Sequence, residues 1–390
     1  MLKRGTSIVF VLTSLFRSGA QAAQPPAATF AHEALRLEAE FTGGQADYTL
    51  LDSLIDQARR KIPTRDSYTQ EQAGNVLKAI DQLLVDNDFV FENDTFLLTG
   101  VLKGRDVTPE LIAQQTRPEA KQRLQRLRTC HGSNCSANTY LYLGIADALR
   151  LPLRGVAAPD HLFIRWVFDD NRYLNWETTV GELRTDEEMK TWRKVAEAAI
   201  RNGAYMRALG RNEMLAQVYA FRAQVAEKAG NYTRAMEEAT KALKLDPRCV
   251  HAVANRGIFW HMLGDLDKAM ADYNAAIELD PDNPEAFHNR AVTWAAKLEW
   301  DKAVADYSRA IAISPDTCSN YYCNRAKAYN MKGAYDKAVA DVTRCLQMDP
   351  KRIDALEVRA WSYEKLGQAD KAQADREDIQ RLRSALNPGG

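Results

Sequence analysis

Asp267-Lys-Ala-Met-Ala-Asp272, Asp301-Lys-Ala-Val-Ala-Asp306, Asp336-Lys-Ala-Val-Ala-Asp341 and Asp370-Lys-Ala-Gln-Ala-Asp375 recur at offsets of 34, 35 and 34 residues. A fixed period of this length is the mark of a stacked repeat, in which each unit is one supersecondary motif. Pro247, Pro281, Pro315 and Pro350 close successive units, while Gly230, Gly264, Gly333 and Gly367 stand five residues before Ala235, Ala269, Ala338 and Ala372. Each unit is therefore two helices. Glycine permits the tight turn, alanine lets the helices approach, and proline ends the second helix because it has no amide to donate. Leu298 replaces the turn glycine of the third unit, and one extra residue enters the fourth near Cys318.

These residues resemble the tetratricopeptide repeat, over about 216–383, in five units followed by a tail at 384–390. The resemblance implies an all-α solenoid whose concave groove receives a protein or peptide partner. Arg222, Arg256, Arg290, Arg325 and Arg359 share one repeat position, and Glu238, Asp272, Asp306, Asp341 and Asp375 share another sixteen residues on. The two ladders can neutralise each other across antiparallel helices; an arginine track for an acidic ligand is the other reading. Asn255, Asn289 and Asn324 precede three of the arginines. The resemblance places them where peptide-binding members hold a ligand's backbone or terminal carboxylate.

Upstream, the chemistry concentrates in residues 128–181. Arg128-Thr-Cys130-His131-Gly-Ser-Asn-Cys135-Ser leads into a segment in which Ala137, Leu141, Gly144, Ile145 and Ala148 keep helical spacing until Leu151-Pro152. This predicts a buried helix over 136–150, with Ser133 or Asn134 as its cap. Cys135 then stands in the first turn, where free amides and the positive end of the helix favour thiolate over thiol. His161-Leu-Phe-Ile-Arg-Trp-Val-Phe168 and Arg172-Tyr-Leu-Asn-Trp-Glu177 read as two strands joined by Asp169-Asp-Asn171. A three-residue loop makes paired numbers sum to 340, which sets His161, Phe163 and Arg165 on the same face as Asn175, Glu177 and Thr179.

A cysteine at a helix start, a histidine opening a strand and a polar residue on the neighbouring strand resemble the transglutaminase-like, papain-related cysteine domain. The likeness is best over Ser133–Gly181, and bacterial proteins that join such a domain to tetratricopeptide repeats share the His161-Leu-Phe-Ile-Arg165-Trp166 strand and the Asn175-Trp-Glu-Thr-Thr179 ending. It implies an α+β fold in which Cys135 is the nucleophile, His161 the base, and Asn175 or Glu177 the group that orients the histidine. The implied reaction is acyl transfer or hydrolysis on a peptide or carboxamide through a thioester, without a cofactor or metal. Cys130 and Cys135 could instead oxidise to a disulfide, and Cys318 and Cys323 share the same spacing; Cys249 and Cys345 read as core fillers.

The composition supports a folded chain with two or three globular units: 390 residues, 46% hydrophobic and 27% charged, with 52 basic and 52 acidic residues. No bulk positive field exists to hold nucleic acid. Lys3 and Arg4, an apolar run over Ile8–Phe16 and small residues to Ala23 follow the order of a signal peptide, and that run is about half of what a bilayer span needs. Export, to the periplasm, and no integral membrane span are the expectations.

The organisation read from the sequence is thus a signal peptide at 1–23, an α+β transglutaminase-like domain at 30–200, a connecting helix at 201–215, the repeats and the tail. Amphipathic spacing gives helices over 46–61 and 68–86, with extended pieces at Asn87–Phe91 and Asp94–Leu98. This part is expected to wall the cysteine site. The competing function is a non-catalytic interaction scaffold whose transglutaminase-like domain is inactive.

Overall fold

The computed structural model describes residues 28–91, 105–106, 129–133, 135–316 and 318–386. The expected signal segment and the extended piece at 94–98 lie outside them. Three helices, α1 (Phe30–Thr42), α2 (Thr49–Lys61) and α3 (Gln70–Asp86), precede strands β1 (Phe89–Phe91), β2 (Arg105–Asp106) and β3 (Thr129–Ser133). β3 lies between β1, which it meets in parallel, and β2, which it meets antiparallel.

Helix α4 (Cys135–Leu149) follows directly. Its sequence is apolar on all sides, and every residue from Ser136 to Ala146 is buried. A helix apolar all round must lie inside the protein. It packs against α1, α2, β4 (Leu153–Ala158) and β5 (His161–Val167), with Tyr140 meeting Phe30 edge to face at 5.5 Å. The helix stops at Arg150, whose backbone turns left-handed at φ 55° before Pro152. Helices α1 and α2 thus support the cysteine helix along its length, while the rim of the site is built by another element described below.

After β5 come β6 (Tyr173–Glu177), β7 (Glu182–Arg184), α5 (Asp186–Arg193), α6 (Glu197–Arg201) and β8 (Ala208–Leu209). Together with β4 the later strands make an antiparallel sheet in the order β7-β6-β5-β4-β8. The observed β5–β6 pairs are Ile164 with Trp176 and Arg165 with Asn175, the register that sums to 340. Asn171 takes the left-handed conformation at φ 63° at the end of the loop. The stretch 201–215 is not a connecting helix. Ala208 and Leu209 pair with Val156 and Gly155 at a sheet edge, and helix resumes only at Arg211, where α7 begins.

Ten helices complete the described chain: α7 (Arg211–Lys228), α8 (Tyr232–Leu245), α9 (Val250–Met262), α10 (Leu266–Leu279), α11 (Pro284–Ala296), α12 (Trp300–Ile313), α13 (Ser319–Met331), α14 (Tyr335–Met348), α15 (Ile353–Lys365) and α16 (Ala369–Leu386). They pair consecutively as a helical solenoid. Its first helix starts before residue 216, and its last continues through Leu386, because nothing breaks it before Pro388; residues 384–386 are therefore helix rather than tail. The four turn glycines all have φ between 71° and 85°, and Leu298 is forced to the same region at φ 61° with its side chain in solvent. Ala235, Ala269, Ala303, Ala338 and Ala372 are wholly buried where paired helices touch.

The two charge ladders neutralise each other within units. Arg222 meets Glu238 at 2.8 Å, and Arg256, Arg290, Arg325 and Arg359 each grip an aspartate sixteen residues on with two bonds of 2.6–2.9 Å. These partly buried pairs, four of them bidentate, leave the guanidinium groups engaged internally rather than forming a track for an acidic ligand. Cys318 and Cys323 do not bridge. Both are free; Cys318 stands just before α13 and makes no side-chain cap, whereas Cys323, inside the helix, shares a hydrogen bond with Cys345 of α14.

The sheet-bearing part and the solenoid share one core. Met214, Leu215, Val218 and Val250 pack in the cluster that contains α4. Arg207 joins Glu213 and Asp246 at 2.6 Å each, and Asn202 donates to the Glu278 carbonyl at 2.6 Å. The close approach of α1 to α4 gives a stability test. A Cβ on Gly144 would lie 2.4 Å from the Ala31 Cβ, so Gly144→Ala should destabilise the protein by about 1–3 kcal/mol. Urea unfolding should show the lower midpoint, and Ala31→Gly in the same chain should recover part of it.

Candidate functional site

The ends of three elements assemble the site. Cys135 opens α4, His161 opens β5 after the left-handed turn at Asp160, and Glu177 ends β6. The β5–β6 register sets the histidine and glutamate on one face. Two bonds tie α4 to the same strand: Asn138, one turn beyond Cys135, donates to the Thr178 carbonyl at 3.0 Å, and the Trp176 indole donates to the Tyr142 hydroxyl at 2.9 Å. The cysteine end of the helix is thereby fixed against the strand that carries the carboxylate.

His161 Nε2 lies 2.5 Å from Glu177 Oε2, and both side chains are almost completely buried. The other carboxylate oxygen, Oε1, accepts from the Thr179 amide at 2.8 Å and its hydroxyl at 2.7 Å. Glu177 is held in place from both oxygens. With Nε2 engaged, Nδ1 is the ring nitrogen left for the hydrogen bond that His161 shares with the Cys135 thiol. The Leu162 amide also donates to that sulfur, and the Ser136 hydroxyl stands 3.9 Å from it.

Burial alone would push the Cys135 thiol up, but the hydrogen bond and charge of His161, with the Leu162 amide and Ser136 hydroxyl, hold it below its ordinary value. Burial alone would push the imidazole down; the bonds to Cys135 and Glu177 and their charges hold it above its ordinary value. Burial opposes ionisation of Glu177, and His161 together with the two Thr179 donors keeps its carboxyl below the usual range. All three shifts favour the same charge state, thiolate beside imidazolium beside carboxylate. Cys249 is the contrast, a wholly buried thiol pushed up to about 12. Cys135 is set apart by its partners as well as by its position.

Of the two residues that sequence parity left open, the structure brings Glu177 to the histidine and takes Asn175 elsewhere. Asn175 Oδ1 accepts from Arg165 Nε at 2.8 Å, and its Nδ2 donates to Asp186 Oδ1 at 2.6 Å. Both of its polar ends are occupied two residues along the strand. Thr179, the Leu162 amide and Trp192 complete the surroundings of His161; strand parity puts Thr179 on this face without a role, and the other two were not singled out from the sequence. Thr179 stood within the quoted Asn-Trp-Glu-Thr-Thr ending, whereas Trp192 carries no local signal. Its ring meets the imidazole edge to face at 5.1 Å although half of its surface is in solvent.

Asn255, Asn289 and Asn324 lie apart from this site, on α9, α11 and α13, each half-buried. Asn255 lines a cavity of about 560 Å³ bounded by Asp160 and Arg193 on one side and by Glu285, Arg309 and Tyr321 on the other. Asn324 lines a second, more apolar one of about 570 Å³ together with Trp300, Tyr307, Met331 and Trp361. Asn289 and Asn324 both meet His288, at 3.3 and 3.0 Å. His251 reaches across from α9 to Asp160 at 2.9 Å, next to the histidine of the candidate relay. The side chains of Cys130 and His131 lie outside what the structure describes.

Comparison with known proteins identifies the solenoid. Tetratricopeptide-repeat family models match residues 222–284 and 319–352. No curated protein matches the chain. Similar solved structures include a crystal structure of MamA, 21% identical, covering 42% of this chain and 95% of that one with a TM-score of 0.39. Another is MamA residues 41 to the end from Desulfovibrio magneticus RS-1, 16% identical, covering 46% and 99% with a TM-score of 0.42. Among the described residues, no helix is long and apolar enough to cross a membrane. The two family matches and the stacked helix pairs establish that this chain carries tetratricopeptide repeats, a scaffold built for protein partners.

Proposed function

We propose that the chain is a cysteine-dependent acyl transferase or hydrolase with a transglutaminase-like domain over residues 30–200, its repeats holding a peptide or protein partner. The observation that carries this is the convergence of Cys135, His161 and Glu177 into one buried hydrogen-bonded relay. Scattered core residues have no reason to share a proton in this way. An inert buried cysteine behaves as a small hydrophobe, and burial then raises its pKa.

In this reading the Cys135 thiolate attacks a carboxamide or peptide carbonyl while the imidazolium at 161 retains its proton. Collapse of the tetrahedral intermediate sends that proton to the departing amine and leaves a thioester. His161, now neutral, removes a proton from water or a second amine as it attacks, and the thiolate returns. Glu177 fixes the ring and stabilises its charged form. The carboxylate fills the role that a neutral amide plays in papain-like sites. We further infer export to the periplasm, from the charged, apolar and small-residue order of positions 1–23. Asn255, Asn289 and Asn324 are assigned to peptide contact by their place in the repeat, and Asn255 also by its position in a cavity that reaches Asp160.

The second reading, an interaction scaffold with a silent cysteine, is favoured by the repeat matches, which concern the partner-binding half alone. Thiol chemistry separates the two. Iodoacetamide at pH 7 should modify Cys135 about tenfold faster than Cys318, the other thiol among the described residues that is not fully buried. Equal rates, measured by peptide mass spectrometry, would remove the enzymatic reading.

A pH profile adds the role of Glu177. Losing its negative charge lowers the imidazole pKa and raises the thiol pKa, so Glu177→Gln should move the onset of Cys135 alkylation to higher pH. Asn175→Ala removes no charge and touches neither the thiol nor the imidazole, so it should leave a smaller shift than Glu177→Gln.

A further inference from the structure

The exposed indole beside His161 raises a physical question. Trp192 has half its surface in water and no hydrogen bond of its own among the described residues, so burial of its ring cannot hold it edge-on to the imidazole. Its position must come from the helix that carries it. Helix α5 is only two turns long, roughly 12 Å, and it is pinned at both ends.

At its first turn, Asp186 is gripped from the sheet. Oδ1 accepts from Arg165 Nη2 at 2.7 Å and from Asn175 Nδ2 at 2.6 Å, and Oδ2 accepts from the Tyr173 hydroxyl at 2.5 Å. Arg165 lies 4.0 Å over the Tyr173 ring, donates from Nε to Asn175 and from Nη1 to the Met206 carbonyl at 3.0 Å. Arg165 and Asn175 are buried, and every polar end of the group is used. With Arg165 and Asn175 buried and fully bonded, such a network is rigid. At the last turn, Arg193 stacks 4.5 Å over Trp192 and donates to the Asp160 carbonyl at 3.0 Å, the residue before His161. Trp192 lines a cavity of about 480 Å³ with Glu177, Val180 and Arg184, and Arg193 lines the one that opens toward the repeats.

We propose that Arg165, Tyr173, Asn175 and Asp186 form a positioning clamp for the thiol site: they fix α5 on the sheet, and α5 in turn holds Trp192 over His161 and sets how much water reaches the imidazole. The inference rests on the catalytic reading. It also gives Asn175 a role, as a residue that acts through α5 rather than on the histidine. Among the described residues, the groups around His161 include Cys135 from α4, Glu177 from β6 and Trp192 from α5, with Arg193 of α5 and Asp160 of the preceding turn nearby, and the Trp192 indole covers the ring edge to face.

The test uses the full chain and the pH dependence of Cys135 alkylation by iodoacetamide. Desolvation is the largest influence holding the thiol up, so uncovering the pair should move the midpoint of reactivity down. Trp192→Ala and Asp186→Ala should both lower it, by half a pH unit or more and in the same direction, with unchanged helical circular dichroism; Trp192→Phe should restore the wild-type midpoint. If Asp186→Ala fails to fold, Tyr173→Phe removes one clamp bond alone and should give a smaller shift of the same sign. A shift in Trp192→Ala with none in folded clamp variants overturns the inference, as do unchanged midpoints in all of them. A wild-type Cys135 no more reactive than Cys318 overturns the catalytic reading itself, which separates the two failures.

Discussion

The pairing of β5 with β6 is the constraint on which the site depends. Side chains alternate faces along a strand, so sliding one strand by a single residue would carry Glu177 to the far side of the sheet from His161. The register is fixed at one end by the short loop with left-handed Asn171 and in the middle by opposed Arg165 and Asn175, which bond to each other. Trp166 and Trp176 are both fully buried on the opposite face, one on each strand, and a slip of either strand would pull its ring out of that packing. Losing the packing of one such ring costs about 3–5 kcal/mol, more than a single hydrogen bond in the relay contributes. The chemistry of the candidate site is therefore held by packing on the side of the sheet that has no chemistry.

That division explains what could be read from the sequence. The repeat was legible because its period, turn glycines and contact alanines are local and recur in phase, and the paired ladders followed from a constant separation. The β5–β6 parity was legible because loop length fixes it. Parity alone could not choose between Asn175 and Glu177, since both point to the same face. The choice was made by Arg165 and Asp186, the second of them on a helix that approaches from outside the hairpin. The connecting helix expected over 201–215 fails for the same kind of reason: the free edge of β4, which lies far away in sequence, captures Ala208 and Leu209. Spacing likewise suggested that Cys318 and Cys323 could pair, whereas the helix that starts between them turns Cys323 toward Cys345.

The relay also illustrates how burial and pairing act against each other. Each of its three ionisable groups is opposed by desolvation and rescued by its neighbours, so none would keep its charged form without the others. An unpaired buried charge costs several kcal/mol, and a half-assembled relay would be worse than an apolar core. The supporting bonds from Thr179 and the Leu162 amide satisfy lone pairs that the relay itself leaves over. A decaying remnant of a core would not need them.

The turn that precedes His161 joins the two halves of the molecule. Asp160 carries three connections: its carbonyl accepts from Arg193 of α5, its carboxylate meets His251 of α9, and its backbone, left-handed at φ 51°, sets the direction in which His161 enters the sheet. Asparagine and aspartate tolerate that conformation better than other residues with a side chain, because their short polar groups can bond locally. Here the group bonds across to the repeat array instead. The second repeat and the base of the candidate relay are thus adjacent through one residue, without a flexible linker between them. Among the described residues, Val250 on the same helix packs into the core that buries α4, so the first turn of α9 is fixed from both its polar and its apolar side. A ligand seated in the cavity beside Asn255 would touch a rigid wall that ends one residue from the imidazole.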